Sequence, residues 1–180
     1  ITGRFAPSPT GPLHMGSLVT ALASYCSIKQ AGGEWLVRID DLDPPRQDPN
    51  AINAILRCLG AHGLHPDRPI TFQSEHALAY ESALQALTPH LFYCQCSRRQ
   101  LRDHARYPGT CRNKKAPVPN RAVRVLMLDT DHSYTDGFLG VIDTDLNSQL
   151  GDFIVRRKDD LIAYNLATAV DDGNAISHVV

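Results

Sequence analysis

The sequence predicts an α/β protein, a parallel sheet with helices packed on it, interrupted by an inserted α+β segment. Three observations predict this. Over residues 1–90, strand-like and helix-like patterns alternate in the order β-α-β-α-β-α. Over 91–151 that alternation stops, and clustered cysteines, a basic Pro-rich stretch and one alternating segment replace it. From Phe153 onward, buried apolar character returns. The expected organisation is a first half of the α/β domain at 1–90, an inserted subdomain at 91–151, and a return to the first domain at 152–180.

The elements follow in order. Residues 2–6 read as a short strand, which Pro7, Pro9, Gly11 and Pro12 break into a loop. Leu18, Leu22, Tyr25 and Cys26 fall near helical spacing, so a helix is expected over 17–31, capped by Ser17 and ended by Gly32-Gly33. EWLVRI at 34–39 is a buried strand. A second helix is expected over 49–59, with Asp48 as N-cap and Pro49 at the first helical position. A short strand over 70–72 and a helix over 75–87 complete the run. Further on, 113–120 reads as a loop and 121–128 alternates like a strand of a mixed or antiparallel sheet. Residues 153–156 and 161–170 are apolar enough to be buried.

A chain of 180 residues fits one domain with a modest insertion and buries its core without disulfides. Lys plus Arg number 18 against 19 Asp plus Glu, so charge balance alone does not point to nucleic acid. No apolar stretch approaches the roughly 20 residues of a membrane helix. No basic-then-apolar leader opens the sequence, so a cytoplasmic protein is expected. Five cysteines, an odd number, argue for a reducing compartment, with Cys26 and Cys58 as core thiols. A monomer is expected.

His14-Met15-Gly16-Ser17 lies between the first strand and the first helix. A helix N-terminus exposes unpaired N–H groups and partial positive charge, which favour a phosphate. Gly16 lets a nucleotide approach the backbone, and His14 can donate a ring N–H to a phosphoryl oxygen as charge develops there. His14, Gly16 and Ser17 are therefore the nucleotide-binding candidates, with His14 and Gly16 catalytic. His-x-Gly alone is a weak signal, and a chance turn explains it better. The longer stretch GRFAPSPTGPLHMGS at 3–17 resembles the first signature of class I aminoacyl-tRNA synthetases, in the form used by the glutamyl branch. VRIDDLDPPR at 37–46 resembles that family's R-I-E-D-x-D segment. YNLA at 164–167, followed by Val170-Asp171-Asp172, resembles its Y-x-L-A…V-D-D segment. The Asp-Pro-Pro-Arg ending and the Gly16-Ser17 pair look most like the glutamyl-Q tRNA(Asp) synthetases, a shortened branch without an anticodon-binding domain.

The resemblance runs from Gly3 to Val180. It implies a Rossmann-type catalytic domain carrying an inserted acceptor-stem-like domain. It also implies ATP with Mg²⁺ and L-glutamate as substrates, glutamyl-adenylate as intermediate, and the queuosine base in the anticodon of tRNA(Asp) as acceptor. The family's Lys-rich K-x-S-K loop does not occur here, and its Arg-Gly would begin just beyond Val180. A fragment of a longer catalytic domain is expected.

Glutamate carries two carboxylates and one ammonium, and each needs a partner in a buried site. A guanidinium fork suits a carboxylate, and Arg4 sits on the first strand, near the crevice where α/β sheets bind ligands. The resemblance implies that Arg4, Phe5, Ala6, Pro7 and Ser8 line the glutamate pocket and that Tyr164 donates its phenol O–H. The family's ammonium-binding glutamate is matched here by Asp40, one methylene shorter. Its carboxylate would fall back by roughly 1.5 Å, a gap that a water can bridge. Read without the resemblance, Arg4 is a surface ion pair and Tyr164 a core aromatic. Asp40, Asp41 and Asp43 then form a solvated acidic turn, with Asp43 pairing Arg46.

Cys94-x-Cys96 and Cys111 supply three thiolates, and a structural zinc usually takes four ligands. His104 and Tyr107 lie between the cysteines. Donor chemistry favours His104; the resemblance, through a C-x-C…Y-x-x-x-C pattern, implies Tyr107. One structural Zn²⁺ per chain is expected. Arg98, Arg99, Arg102, Arg106, Arg112, Lys114 and Lys115 crowd this region and suit either RNA phosphates or a solvated face. Two other readings compete: an ordinary glutamyl-tRNA synthetase charging the tRNA 3′ end, and a zinc-stabilised RNA-binding module without catalysis.

Overall fold

The computed structural model describes residues 1–128 and 131–180. They form two compact units, one of residues 1–81 with 166–180, the other of residues 82–165. The second unit is longer at both ends than the insertion expected over 91–151. Among the described residues no helix is long and apolar enough to cross a membrane.

In the first unit β1 (Thr2–Phe5), β2 (Glu34–Ile39) and β3 (Thr71–Phe72) form a parallel sheet in that order. Helix α1 (Met15–Gln30) connects the first two strands and α2 (Ala51–Ala61) the next two. The register pairs Arg4 with Leu36 and Phe5 with Val37. Side chains alternate across a pleated strand, so one face carries Phe5, Trp35, Val37 and Ile39. That face packs with Ala21 and Ile28 of α1 and Ile55 and Leu59 of α2 to make the core. The opposite face carries Arg4, Leu36, Arg38 and Asp40. Trp35 is fully buried, and its indole N–H donates to Ser24 Oγ at 2.9 Å. Beyond β1, Gly3 makes a parallel bridge to His178, and the Ser177 N–H donates to the Thr2 carbonyl at 2.9 Å.

Several expectations change at element ends. Helix α1 begins at Met15, and its N-cap is His14, not Ser17. Helix α2 begins at Ala51 with Asn50 as N-cap. Asp48 instead accepts from the Asn50 N–H at 2.8 Å, so 48–50 is a side-chain-closed turn rather than the first helical turn. The helix expected over 75–87 divides into a 3₁₀ turn, Gln73–His76, and α3 (Ala77–Ala86). Cys26 is exposed, not a core thiol, because it lies on the outer side of α1; Cys58 is half-buried.

The second unit is built on β4 (Leu91–Cys94) and β5 (Ala122–Val125), with α4 (Arg98–Leu101) between them. A hairpin of β6 (Asp131–Asp136) and β7 (Gly140–Asp145) follows, then α5 (Leu146–Gln149), β8 (Ile154–Arg156) and the start of α6 (Tyr164–Ala175). Strands β4, β5 and β8 make an antiparallel sheet in that order. The pairing of β8 with β5 draws residues 152–165 into this unit. The β6–β7 hairpin is a separate two-stranded sheet, mostly exposed on both faces. Its turn is closed by Asp136, whose carboxylate accepts from the N–H groups of Phe138 and Leu139 at 2.8 and 2.9 Å.

Gly3 marks a close approach of strand to helix. A Cβ there would lie 2.5 Å from Ile28 Cδ1 and closer still to Cγ1, and Ile28 is fully buried. Gly3→Ala is expected to destabilise the protein by about 1–3 kcal/mol through overpacking. The check is a lower urea midpoint at unchanged m; an unchanged midpoint would mean that Ile28 yields freely.

Candidate functional site

The C-terminal end of β1 opens into a cleft of about 450 Å³. Its walls are residues 5–8, residues 10–13, and His14, Ser17 and Thr20 of the first helix. The sequence candidates Phe5, Ala6, Pro7, Ser8, His14 and Ser17 therefore meet around one space. The loop is tied to the segment after β2: the Pro7 carbonyl accepts from the Asp40 N–H at 3.0 Å, and Pro9 from that of Asp48 at 2.9 Å. His14 caps α1 by accepting the Ser17 N–H on Nδ1 at 3.1 Å. In the neutral ring that acceptor role leaves the proton on Nε2, which stands 3.1 Å from Ser17 Oγ. The cleft thus holds an imidazole N–H donor beside a helix N-terminus, a pairing suited to phosphoryl oxygens. Gly16 does not line the cleft. A Cβ on it would press within 3.1 Å of the His14 ring, so the glycine makes room for the cap.

On the other face of the sheet, charged side chains form a closed network. Arg38 is only 5% exposed and Asp40 6%, so Asp40 is not part of a solvated turn. The two lie at alternate positions of one strand and point to the same side, and Arg38 Nε meets Asp40 Oδ1 at 2.6 Å. Arg38 Nη1 reaches Asp172 Oδ1 at 2.8 Å and Asp171 Oδ2 at 3.6 Å. Arg4 grips Asp172 with two bonds, Nε to Oδ1 at 3.1 Å and Nη2 to Oδ2 at 2.6 Å. Asp171 accepts from Gln73 Nε2 at 2.8 Å and Tyr80 Oη at 2.9 Å, and pairs with His76 Nδ1 at 2.9 Å. Asp41 accepts from the Ser74 N–H and hydroxyl instead, and Asp43 pairs Arg46 at the surface, as the plain reading of the sequence expects.

These contacts set the charge states. Burial pushes the Asp40 carboxyl up, even against Arg38 and Arg4. Burial acts the same way on Asp172, but Arg4 and Arg38 outweigh it and hold that carboxyl below the usual range. Burial and the Asp171 hydrogen bond keep the Tyr80 phenol protonated well above its ordinary range. Sequence reasoning assigned no role to Arg38, His76, Tyr80, Asp171 or Asp172. One signal was available: an arginine inside the apolar strand EWLVRI must find carboxylates once buried. Tyr164, the first residue of α6, is exposed and belongs to the second unit.

In the second unit the thiols of Cys94, Cys96 and Cys111 lie within 4.8 Å of one another. Cys96 Sγ and Cys111 Sγ are 3.8 Å apart, and Tyr107 Oη is 3.4 Å from Cys94 Sγ and 3.8 Å from Cys96 Sγ. A tetrahedron with metal–sulfur bonds of about 2.3 Å and a metal–oxygen bond of about 2.0 Å has edges near 3.8 and 3.5 Å. The Cys96–Cys111, Tyr107–Cys94 and Tyr107–Cys96 separations are close to those edges. His104 is exposed and outside this group. The Tyr107 ring is held between Phe92, at a centroid distance of 5.7 Å, and the Arg124 guanidinium, 4.1 Å from its centre. Arg124 donates to the Asp152 carbonyl at 2.8 Å. The buried Asp152 carboxylate accepts from Arg112 Nε at 2.7 Å and the Met127 N–H at 3.0 Å. Burial raises the Cys111 thiol, but Tyr107, the Gln95 N–H and Lys114 outweigh it and bring it down to about 7.

This geometry has relatives. The whole chain, residues 1–180, matches the family of class I tRNA synthetases (E and Q), catalytic domain, and it belongs to that family. It is 46% identical to the glutamyl-Q tRNA(Asp) synthetase of Acinetobacter baylyi and 47% identical to that of Cupriavidus metallidurans, over 99% of its own length. It spans only 62% and 63% of those two proteins. Among solved structures, the glutamate tRNA ligase of Elizabethkingia meningosepticum, in complex with its amino acid, superposes with a TM-score of 0.78 at 24% identity, covering 96% of this chain and 41% of the other. The glutamate-tRNA synthetase of Elizabethkingia anophelis superposes with a TM-score of 0.79 at 24% identity, covering 96% and 42%. The shared fold is the Rossmann-like catalytic fold with its parallel sheet.

Arg38→Met strands the buried Asp40 carboxylate and removes one of two cations from Asp172. Loss of one partner from a buried ion pair costs about 3–5 kcal/mol. Denaturant unfolding of the variant is expected to show a loss of that size; a loss below about 1 kcal/mol would contradict a closed network.

Proposed function

We propose that this chain is the glutamate-activating part of an enzyme that joins L-glutamate to the queuosine base in the anticodon of tRNA(Asp). The observation that carries this reading is the cleft at the first β-to-α crossing, with the His14 donor and the α1 N-terminus facing the end of β1. Support comes from relatives bearing that activity in their names. In the first step the α-carboxylate of glutamate attacks the α-phosphorus of ATP, and pyrophosphate leaves. Glutamyl-adenylate results, and Mg²⁺ accompanies the nucleotide. In the second step a hydroxyl of the queuosine base attacks the glutamyl carbonyl, and AMP leaves. The protein aligns the reactants and stabilises charge on the phosphoryl oxygens.

His14 and Ser17 serve the nucleotide directly, and Gly16 serves it by leaving room for the His14 ring. Arg4 takes a glutamate carboxylate, and Ser8 and the backbone of residues 5–7 line the amino-acid pocket. Asp40 meets the ammonium through a water, using Oδ2, whose contact to Arg38 Nη2 is long at 3.4 Å. The protein acts as a cytoplasmic monomer. The first unit supplies the catalytic half-site, and the second is the inserted subdomain. In that subdomain Cys94, Cys96, Cys111 and Tyr107 hold one structural Zn²⁺, which closes the loop between the cysteines. Tyr107 is preferred to His104 because its oxygen completes the sulfur cluster.

The deciding assay charges queuosine-containing tRNA(Asp) with labelled glutamate, using the full-length enzyme. Glutamate-dependent ATP–pyrophosphate exchange is expected, with label retained on the anticodon fragment after cleavage of the RNA. Label on the 3′ fragment would make the enzyme an ordinary glutamyl-tRNA synthetase. RNA binding without exchange would leave only a binding module.

Metal analysis of protein purified without chelator is expected to find close to one zinc per chain. Tyr107→Phe removes one donor and is expected to weaken zinc retention against a chelator by at least the roughly tenfold that loss of an outer-sphere partner costs. Unchanged retention would eliminate the phenol as a ligand.

A further inference from the structure

We propose that Asp172 is a positioning residue of the amino-acid site: it orients the Arg4 guanidinium so that its end-on pair of N–H groups is presented to a substrate carboxylate. This rests on the reading of Arg4 as a glutamate ligand. A guanidinium carries five N–H donors in a rigid plane, so fixing one edge fixes the other. Asp172 takes the side edge of Arg4, with Nε to Oδ1 at 3.1 Å and Nη2 to Oδ2 at 2.6 Å. The Nη1 group and the second N–H of Nη2 remain, and together they form a second fork that matches a carboxylate.

Asp172 cannot swing with Arg4, because its Oδ1 is also held by Arg38 Nη1 at 2.8 Å, and Arg38 is locked to the buried Asp40. The residue before it is anchored as well: Asp171 is bonded to Gln73, His76 and Tyr80, which pins this part of α6. One anchored carboxylate thus faces two guanidiniums. One of these is buried and committed; the other, Arg4, has 14% of its side chain exposed. The arrangement costs Arg4 little of its charge, since Asp172 is shared with Arg38, and it removes the rotamer freedom that a lone arginine would lose on binding.

The test is steady-state ATP–pyrophosphate exchange with the full-length enzyme and its D172N, D172E, R4K and R4K/D172N variants. D172N is expected to raise the KM for glutamate about tenfold or more, the change expected of a misdirected ligand, while the KM for ATP stays within about twofold. In the R4K background no fork remains to be oriented, so D172N is expected to add little further loss. D172E keeps the charge but moves it by one methylene; it is expected to raise the glutamate KM at a nearly unchanged melting temperature, which keeps the proposal testable should D172N fail to fold. A glutamate KM unchanged in D172N or D172E overturns the proposal, as does a D172N penalty that adds fully to that of R4K. Proportional loss of rate with all substrates, tracking the folded fraction, would make Asp172 a structural ion pair only. Absence of glutamate-dependent exchange in the unmodified enzyme overturns the glutamate reading itself, and is seen before any variant is made.

Discussion

The Arg38 guanidinium is the hinge of the first unit. It sits in an apolar strand, beneath a parallel sheet, where a lone cation would be prohibitively costly. Its presence there is possible only because Asp40, Asp171 and Asp172 surround it. The dependence runs the other way too. Without Arg38, Asp40 has no counter-ion of its own strand, and α6 loses its tie to β2. Three carboxylates stand against two guanidiniums in this cluster when His76 is neutral. The surplus is one negative charge, which suits a site that the proposed function fills with an ammonium group.

The parallel sheet was readable from the sequence because its strands are short apolar runs between helical periods. EWLVRI became β2 with the bounds expected. Helix starts were less readable. Ser17 and Asp48 have the side chains that usually cap helices, yet the tertiary loop placed His14 and Asn50 at those positions. The β6–β7 hairpin left no alternating pattern, since neither face is buried. The cleft residues 5–8, 14 and 17 were found because they are consecutive or nearly so. Asp40 was named, but its buried partner was not: an i, i+2 pair on one strand face is visible only once the strand is known to be covered. Asp172 stands in a recognisable Val170-Asp171-Asp172 segment, but its partner Arg4 is 168 residues away, and nothing local in the sequence joins the two.

The cysteine cluster shows the same limit from the other side. Spacing brings Cys94, Cys96 and Cys111 together on paper, donor chemistry favours His104 beside them, and the family resemblance implies Tyr107. Packing puts the two in different surroundings. The Tyr107 ring packs against Phe92 and Arg124, and its oxygen lies beside Cys94 and Cys96, while His104 is exposed. Arg124 is in turn held by the Asp152 carbonyl, and Asp152 by Arg112 and Met127. A loop with few apolar anchors of its own is thereby ordered from β4, β5 and the segment before β8.

The hairpin of β6 and β7 has a consequence of its own. Among the described residues this ribbon pairs with no other strand, and an unpaired edge is a template for any extended peptide. Here four aspartates, Asp131, Asp136, Asp143 and Asp145, are strung along it, and Asp131 is paired directly with Asp145. That pairing weakens the ribbon internally, since like charges opposite one another repel. It also surrounds the open edges with negative charge, so a passing strand of another copy meets repulsion before it can add on and seed a fibril.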